Sequence, residues 1–317
     1  MKFSVMKYKY VSLISSLLLL GFTLFYTYQV HGGFHKGIDF AGGVKLEILA
    51  SDKISLEKLR GFLAEHNMAA VVFASEREGQ KTLKLELSGP VEVTLSREAE
   101  KQKELLEKAG YAPNAVDYLH MLLVQKLAGG QKQDVQFIHA DRVGPTIGRY
   151  LTQAAIKVLA VALLLITIYV AFRFKLNFAI GALIASIHDL LLTLGFVGFL
   201  QIPLSIPVIA ALLTILGYSI NDTIVIYDRI RENLHGQEEL GIDKVVDKSI
   251  YQSLSRTINT SATTILAILP VYLIGGEGLK ELALVLIIGI IVGTYSSNFV
   301  AAPVVVIWEN LLRRKAT

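Results

Sequence analysis

No cysteine occurs among the 317 residues. Disulfides, thiol nucleophiles and cysteine-ligated metals are thereby excluded. Charge is also scarce: Asp, Glu, Lys and Arg make up 18% of the chain, against about 25% in ordinary soluble domains. Proline is limited to seven positions and tryptophan to one, so little interrupts long helices. No G-x-x-x-x-G-K-[ST] phosphate loop is present. The run Gly275-Gly276-Glu277-Gly278 lacks the strand–helix setting of such a loop and reads as a flexible connector. Driven work would therefore draw on an ion gradient or a partner, with no cofactor. What the chain has in surplus is apolar: 53% of residues, with a mean hydropathy of +0.51. That excludes disorder and a purely soluble globule.

The apolar residues fall into runs long enough to cross a bilayer, which takes about 20 residues. The first, Val11–Val30, carries no charge and follows Lys2, Lys7 and Lys9. It exceeds a signal-peptide core of about 7–15 residues and no cleavage site follows, so it reads as an uncleaved anchor. Five more runs come late: Leu151–Phe172, Leu176–Leu200, Ile202–Ile226, Leu254–Ile274 and Leu282–Trp308. Core helices of a soluble protein rarely stay apolar on every face for that length.

The +4 net charge and pI near 9.0 acquire an address from this division. Residues 32–150 hold 16 basic and 16 acidic groups and contribute nothing. With the N-terminus inside, the short inner segments carry 13 Lys/Arg and the short outer loops only Lys280. That asymmetry orients the spans. It places both termini in the cytoplasm and the intervening domain outside, and it is not a nucleic-acid footprint. The expected organisation is residues 1–31 as tail and first span, 32–149 as outer domain, and 150–317 as spans two to six with a cytoplasmic loop at 227–253.

In the outer domain, Val44–Ala50 alternates as a half-buried strand does. Ser51 or Asp52 could cap a helix through Leu56, Leu59, Phe62 and Leu63. Met68–Ala74 and Thr82–Ser88 read as strands about a charged turn, and Arg97–Lys108 and Ala115–Leu127 as helices. Asp134–His139 would be the last strand. The order β-α-β-β-α-β fits a ferredoxin-like split unit. The fold class expected is thus a polytopic α-helical membrane protein of six spans, with one α+β ferredoxin-like extracytoplasmic domain between the first two. His31 and His35 are too few and too loosely placed for a metal site, and no nucleophile–base arrangement points to an enzyme.

An ionisable group at bilayer depth costs at least ~2.5–3.5 kcal/mol and usually serves a function. Asp189 lies 14 residues beyond Lys175, roughly 21 Å along a helix and so near the bilayer centre. His188 precedes it, about 100° round the helix. The bland alternative for Asp189 is a structural hydrogen bond between helices. Asp222 lies six residues before Asp228, ~9 Å inside the inner interface. Tyr218 and Ser219 share its helix face. Arg256 opens the fifth span, where Gln252, Ser253, Asn259, Thr260 and Thr263 continue a polar stripe that should face protein or water. Asp222 and Arg256 stand at similar depth and are expected to pair, either as a proton-loading site or as a static tie between helices. Gly289 and Gly293 form a G-x-x-x-G in the last span, a sign of close helix packing.

Five segments then resemble one family in order. Gly37-Ile38-Asp39-Phe40-Ala41-Gly42-Gly43 follows the first span, and Val143-Gly144-Pro145 precedes the second. Gly217-Tyr218-Ser219-Ile220-Asn221-Asp222-Thr223 and Tyr227-Asp228-Arg229-Ile230-Arg231-Glu232-Asn233 lie on the fourth. Ser255-Arg256-Thr257-Ile258-Asn259-Thr260-Ser261 opens the fifth. Together they resemble the SecF subunits of the bacterial SecD–SecF protein-export accessory complex, with Ala41 where Thr or Ser is common and an outer domain enlarged at 96–132. The resemblance implies one half of a twelve-span assembly of the resistance–nodulation–division type in the bacterial inner membrane. It implies a SecD partner, the SecYEG channel with YajC and YidC nearby, a translocating polypeptide as cargo, and a proton gradient as drive. By it Asp222 matches a proton-carrying aspartate and Arg256 its partnering arginine; Asp189, Ser219 and Thr260 join the expected proton pathway from their depth and helix faces. Gly37, Asp39, Phe40, Gly42, Gly43, Gly144 and Pro145 would couple the outer domain to the spans; their other reading is a glycine turn entering a strand. Other readings of the chain are a stand-alone exporter of lipids or small molecules on the same fold, and a scaffold whose charges only pack helices.

Overall fold

The structure is a computed structural model describing residues 4–50, 54–68, 70–77, 80–236 and 241–316. In chain order its helices and strands are α1 Lys9–Gln29, α2 Ile38–Ala41, β1 Gly43–Ala50, α3 Leu56–Glu65, β2 Ala70–Arg77 and β3 Gln80–Ser88. They continue as α4 Gly89–Lys101, α5 Lys103–Lys108, α6 Ala115–Lys126 and β4 Val135–Val143. The remainder is helical: α7 Pro145–Arg173, α8 Leu176–Phe199, α9 Ile206–Gly236, α10 Ile242–Ile274, α11 Glu277–Ser296 and α12 Ala302–Ala316. The chain divides into two compact units, Lys36–Ala154 and the remainder.

Among the described residues six helical stretches are long and apolar enough to cross a membrane, and the chain is a multi-pass membrane protein. They run Met6–Gln29, Thr146–Arg173, Leu176–Phe199, Ile206–His235, Ile242–Ile274 and Gly278–Leu311. The polar stretch expected as a connector after the fourth span is instead mostly helix. α9 has 31 residues, roughly 46 Å at about 1.5 Å per residue, against a hydrocarbon core of about 30 Å. Its charged end and the start of α10 therefore stand clear of the bilayer, leaving 237–240 outside the described residues. Apolar runs mark where a helix meets lipid, not where its hydrogen-bond ladder ends.

α1 is packed inside out. Its buried residues are Lys9, Ser12, Ser16, Thr23 and Thr27, while Leu17, Leu18, Phe22 and Phe25 are exposed. Lipid is as apolar as a leucine side chain, so small polar residues form the interface and leucines stay outside. Gly195 and Gly198 of α8 have no room for a Cβ, which would collide with Thr23 and Thr27. Before α1, the chain is fastened by the Ser4 hydroxyl and the Met6 amide, which donate to the two carboxylate oxygens of Asp247 on α10. Lys9 Nζ reaches Asp243 Oδ2 at 2.9 Å.

The smaller unit holds a four-stranded antiparallel sheet in the order β2-β3-β1-β4. Val44, Leu46 and Ile48 of β1 alternate inward with Leu83, Leu85 and Leu87 of β3, over Leu59 and Phe62 of α3 and Leu119 and Leu123 of α6. The expected caps Ser51 and Asp52 lie outside the described residues. Ser55 caps α3, its Oγ accepting from the Lys58 amide at 3.2 Å. The helix expected from Arg97 starts eight residues earlier, at Gly89, because Pro90 fits a helix's first turn.

The glycine motif folds into the turn α2, after which Gly42 (φ 76°) and Gly43 (φ 143°) open β1. A Cβ on Gly43 would drive into the Leu87 carbonyl, and one on Gly148 of α7 would stand 2.7 Å from the Phe40 carbonyl oxygen. The Gly89 amide donates to the Gly42 carbonyl at 3.1 Å. Motif, sheet and the first turns of α7 are thus locked by backbone against backbone. Gly43→Ala should cost the small unit about 1–3 kcal/mol, given the strained φ. Limited proteolysis of the full chain would show it as faster cleavage within 36–154. Gly144→Ala, with open space around its Cβ position, should leave cleavage unchanged.

Candidate functional site

α8, α9 and α11 are the most enclosed spans: about half of each apolar window is buried, against 6% for the span of α7 and 11% for that of α10. The close approach of α11 to α9 is made by the two glycines of the G-x-x-x-G. Gly289 lies against Ile215, and a Cβ on Gly293 would stand 2.8 Å from Ser219 Cβ. Just beyond, the chain widens into a π-helical turn at Ser297–Ala301, a form that often marks functional sites.

These contacts gather a polar layer between the helices. Ser219 Oγ donates to Asp189 Oδ2 at 2.5 Å. Asp189 is fully buried, and His188 Nδ1 lies 3.1 Å from its Oδ1. Although neighbours on a helix diverge by about 100°, the imidazole folds back, so His188 serves Asp189 and does not point away from it. His188 Nε2 in turn meets Ser16 Oγ of α1 at 2.6 Å. Thr223 Oγ1 and Ser297 Oγ are 2.9 Å apart, and Ser261 Oγ and Thr294 Oγ1 2.6 Å.

Asp222 is 3% exposed, and its Oδ2 is buried with no hydrogen-bond partner. The expected bonded pair with Arg256 is not formed; the ion pairs among the described residues do not include it. The reason is helical phase. α10 turns Ser253, Thr257 and Ser261 inward at four-residue spacing, and Arg256, one step from Thr257, is exposed.

The polar stripe of α10 divides in the same way. Ser253 is buried and donates to the Ser249 carbonyl at 2.9 Å. Asn259 and Thr263 are exposed, and Thr260 is half-buried. Thr260 Oγ1 donates to the Arg256 carbonyl and Thr263 Oγ1 to the Asn259 carbonyl, at 2.8 and 2.9 Å. Their protons are spent on their own helix.

The structure therefore brings Asp189, Ser219 and Asp222 into one layer and leaves Arg256 and Thr260 at its open side. Gly37, Asp39, Phe40, Gly42, Gly43, Gly144 and Pro145 belong to the smaller unit. Sequence reasoning missed Ser16, Thr223, Ser297 and Thr294. The signal for Ser16 was present in the spacing Ser12, Ser16, Thr23, Thr27, a polar stripe along an otherwise apolar helix.

Comparison with known proteins agrees over nearly the whole chain. Residues 123–311 match the family model described as protein export membrane protein SecD/SecF, C-terminal. The protein translocase subunit SecF of Rickettsia bellii (strain OSU 85-389) is 36% identical over 313 residues, covering 97% of this chain and 94% of that one. The protein translocase subunit SecDF of Thermus thermophilus is 39% identical over 284 residues, 90% of this chain but 35% of that longer one. The crystal structure of the Thermus SecDF superposes with a TM-score of 0.74 at 34% identity, over 98% of this chain and 39% of the SecDF chain. A SecDF structure in the super-membrane-facing form gives 0.68 at 35% identity, over 100% of this chain and 40% of that one. The chain thus spans about two fifths of the SecDF polypeptides and nearly all of a SecF, and it belongs to the SecF family of protein translocase subunits.

Proposed function

We propose that this chain is the SecF half of a proton-driven accessory complex of the Sec machinery in the bacterial inner membrane. In this reading it promotes outward movement and release of polypeptides at the SecYEG channel, with YajC and YidC as neighbours. Asp222 carries the proton. The observation that supports this most is its carboxylate, buried at bilayer depth with one oxygen unpartnered, beside an open polar face on α10. A charge so placed is costly unless it does work.

The SecD-like half covers that face. Asn259 and Thr263 would otherwise meet lipid, and α7 and α10 are the spans least covered by this chain. Protonation of Asp222 removes its attraction to Arg256, the spans shift, and the outer unit follows. The backbone lock of Gly42, Gly43, Phe40 and Gly148 holds the glycine motif to the first turns of α7 within the outer unit. A two-state outer unit biased by one proton is what such coupling requires. The outer unit is read as ferredoxin-like, its order β2-β3-β1-β4 being that of a split β-α-β-β-α-β unit. Its place is outside the cytoplasm, with both termini inside, on the Lys/Arg asymmetry of the short loops.

The test uses inverted membrane vesicles with and without the chain and its SecD-type partner. The increment of export that the pair provides is expected to vanish when an ionophore collapses the proton gradient while ATP is regenerated. An increment that survives the collapse would refute the proton-driven reading.

A further inference from the structure

Several hydroxyls near Asp222 are engaged elsewhere, while Thr257 Oγ1 on the inward face of α10 is buried without a partner. Tyr218 OH lies 3.4 Å from both Ser261 Oγ and Thr264 Oγ1 on α10. Thr223 Oγ1 is 2.9 Å from Ser297 Oγ. Ser219, three residues before Asp222 and on the same helix face, gives its proton to Asp189 on α8 at 2.5 Å. Asp189 is itself held: His188 Nδ1 is 3.1 Å from its second oxygen, and Ser16 of α1 meets His188 Nε2 at 2.6 Å. In this arrangement His188 donates from Nδ1 to the carboxylate and accepts the Ser16 hydroxyl at Nε2. Three groups on two helices, Asp189 and His188 of α8 and Ser16 of α1, thus fix the direction of one hydroxyl.

We infer that Asp189 is a positioning residue for Asp222: it takes up the Ser219 hydroxyl and so keeps the Asp222 carboxyl free of it. A carboxyl that must gain and lose a proton is served badly by a fixed donor, because a hydrogen bond to the charged form holds it charged. The inference rests on the proton-carrying reading of Asp222. Apart from groups nearer the helix ends, such as Asp228, Asp243, Asp247 and Lys280, the helices packed here carry His188 on α8, Tyr218, Asp222 and Tyr227 on α9, Arg256 on α10 and Tyr295 on α11. α1 presents Ser12 and Ser16, both buried. Asp189 differs from a plain interhelical tie in one respect. The hydroxyl it holds belongs to the residue three before the working carboxyl, on the same helix face.

The test reads that carboxyl directly. The full chain is purified with its SecD-type partner in lipid, and the infrared C=O stretch of protonated Asp222 is identified as the band lost in Asp222→Asn. Asp189→Leu fills the site without accepting a hydrogen bond and releases Ser219. The band is expected to move to lower wavenumber, as a carboxyl does on gaining a hydrogen bond. Ser219→Ala added to Asp189→Leu should return the band to its wild-type position. Asp189→Asn keeps an acceptor for Ser219 and should leave the band in place. Ser219→Ala alone, a change any of these helices tolerates, should also leave it in place. A band blind to Asp189→Leu, or one raised by Ser219→Ala alone, would overturn the inference while leaving the proton-carrying reading intact. The absence of any band lost in Asp222→Asn would overturn both.

Discussion

Asp222→Asn is expected to reduce gradient-driven export to the level seen without the chain, a loss of tenfold or more on the scale of about 10²–10⁴ attributed to a positioned proton-transfer group. The substitution is nearly isosteric, and Oδ2 has no hydrogen bond to lose. The carboxamide cannot take up or release a proton, so only the titration is removed. Stability should move the other way. A buried carboxylate without a bonded partner is costly, so the variant should unfold at the same temperature as the wild type or a higher one. Asp222→Glu keeps a titratable group but lengthens the reach toward Arg256, and should retain part of the activity. Loss of export together with loss of fold in Asp222→Asn would point to a purely structural role.

Gly289→Leu and Gly293→Leu carry the second large effect. Side chains at these positions run into Ile215 and Ser219 of α9. Overpacking of a tight interior costs about 1–3 kcal/mol or more, and in a membrane no hydrophobic drive between helices offsets it. Each variant should accumulate poorly and melt earlier in detergent. Gly293→Leu should also lose export by displacing Ser219 from Asp189. Gly217→Leu is the internal control: it lies on α9 with open space around its Cβ position and should be tolerated. Equal damage from all three would mean that glycine content, not the α9–α11 seam, decides stability.

The two kinds of feature differ in how far they could be read ahead of the coordinates. Spans showed themselves because 20 consecutive apolar residues leave few alternatives, and the polar face of α10 because lipid tolerates no such stripe. Helix ends did not show, since α9 and α10 run on through charged residues that water accepts as readily on a helix as on a loop. The Gly42-Gly43 turn was visible as a motif, but Gly148, which closes on the Phe40 carbonyl, was not, because its requirement comes from a segment over a hundred residues away. Asp222 was legible as a charge out of place. Its relation to Arg256 was half legible: equal depth put Arg256 at its level, while the phase of α10 leaves the two without a bonded pair. Of the companions that arrange the layer, Ser16 left a trace in the polar stripe of α1, whereas Ser297 and Thr294 are small hydroxyls that sequence alone cannot distinguish from ordinary helix-packing residues.

Proton passage itself is the most direct measure of the central claim. The chain and its SecD-type partner are reconstituted in proteoliposomes carrying an internal pH dye, and an inward gradient is imposed. The account predicts acidification with the wild type and none above empty vesicles with Asp222→Asn, at equal incorporation. Acidification by Asp222→Asn at the wild-type rate would contradict it.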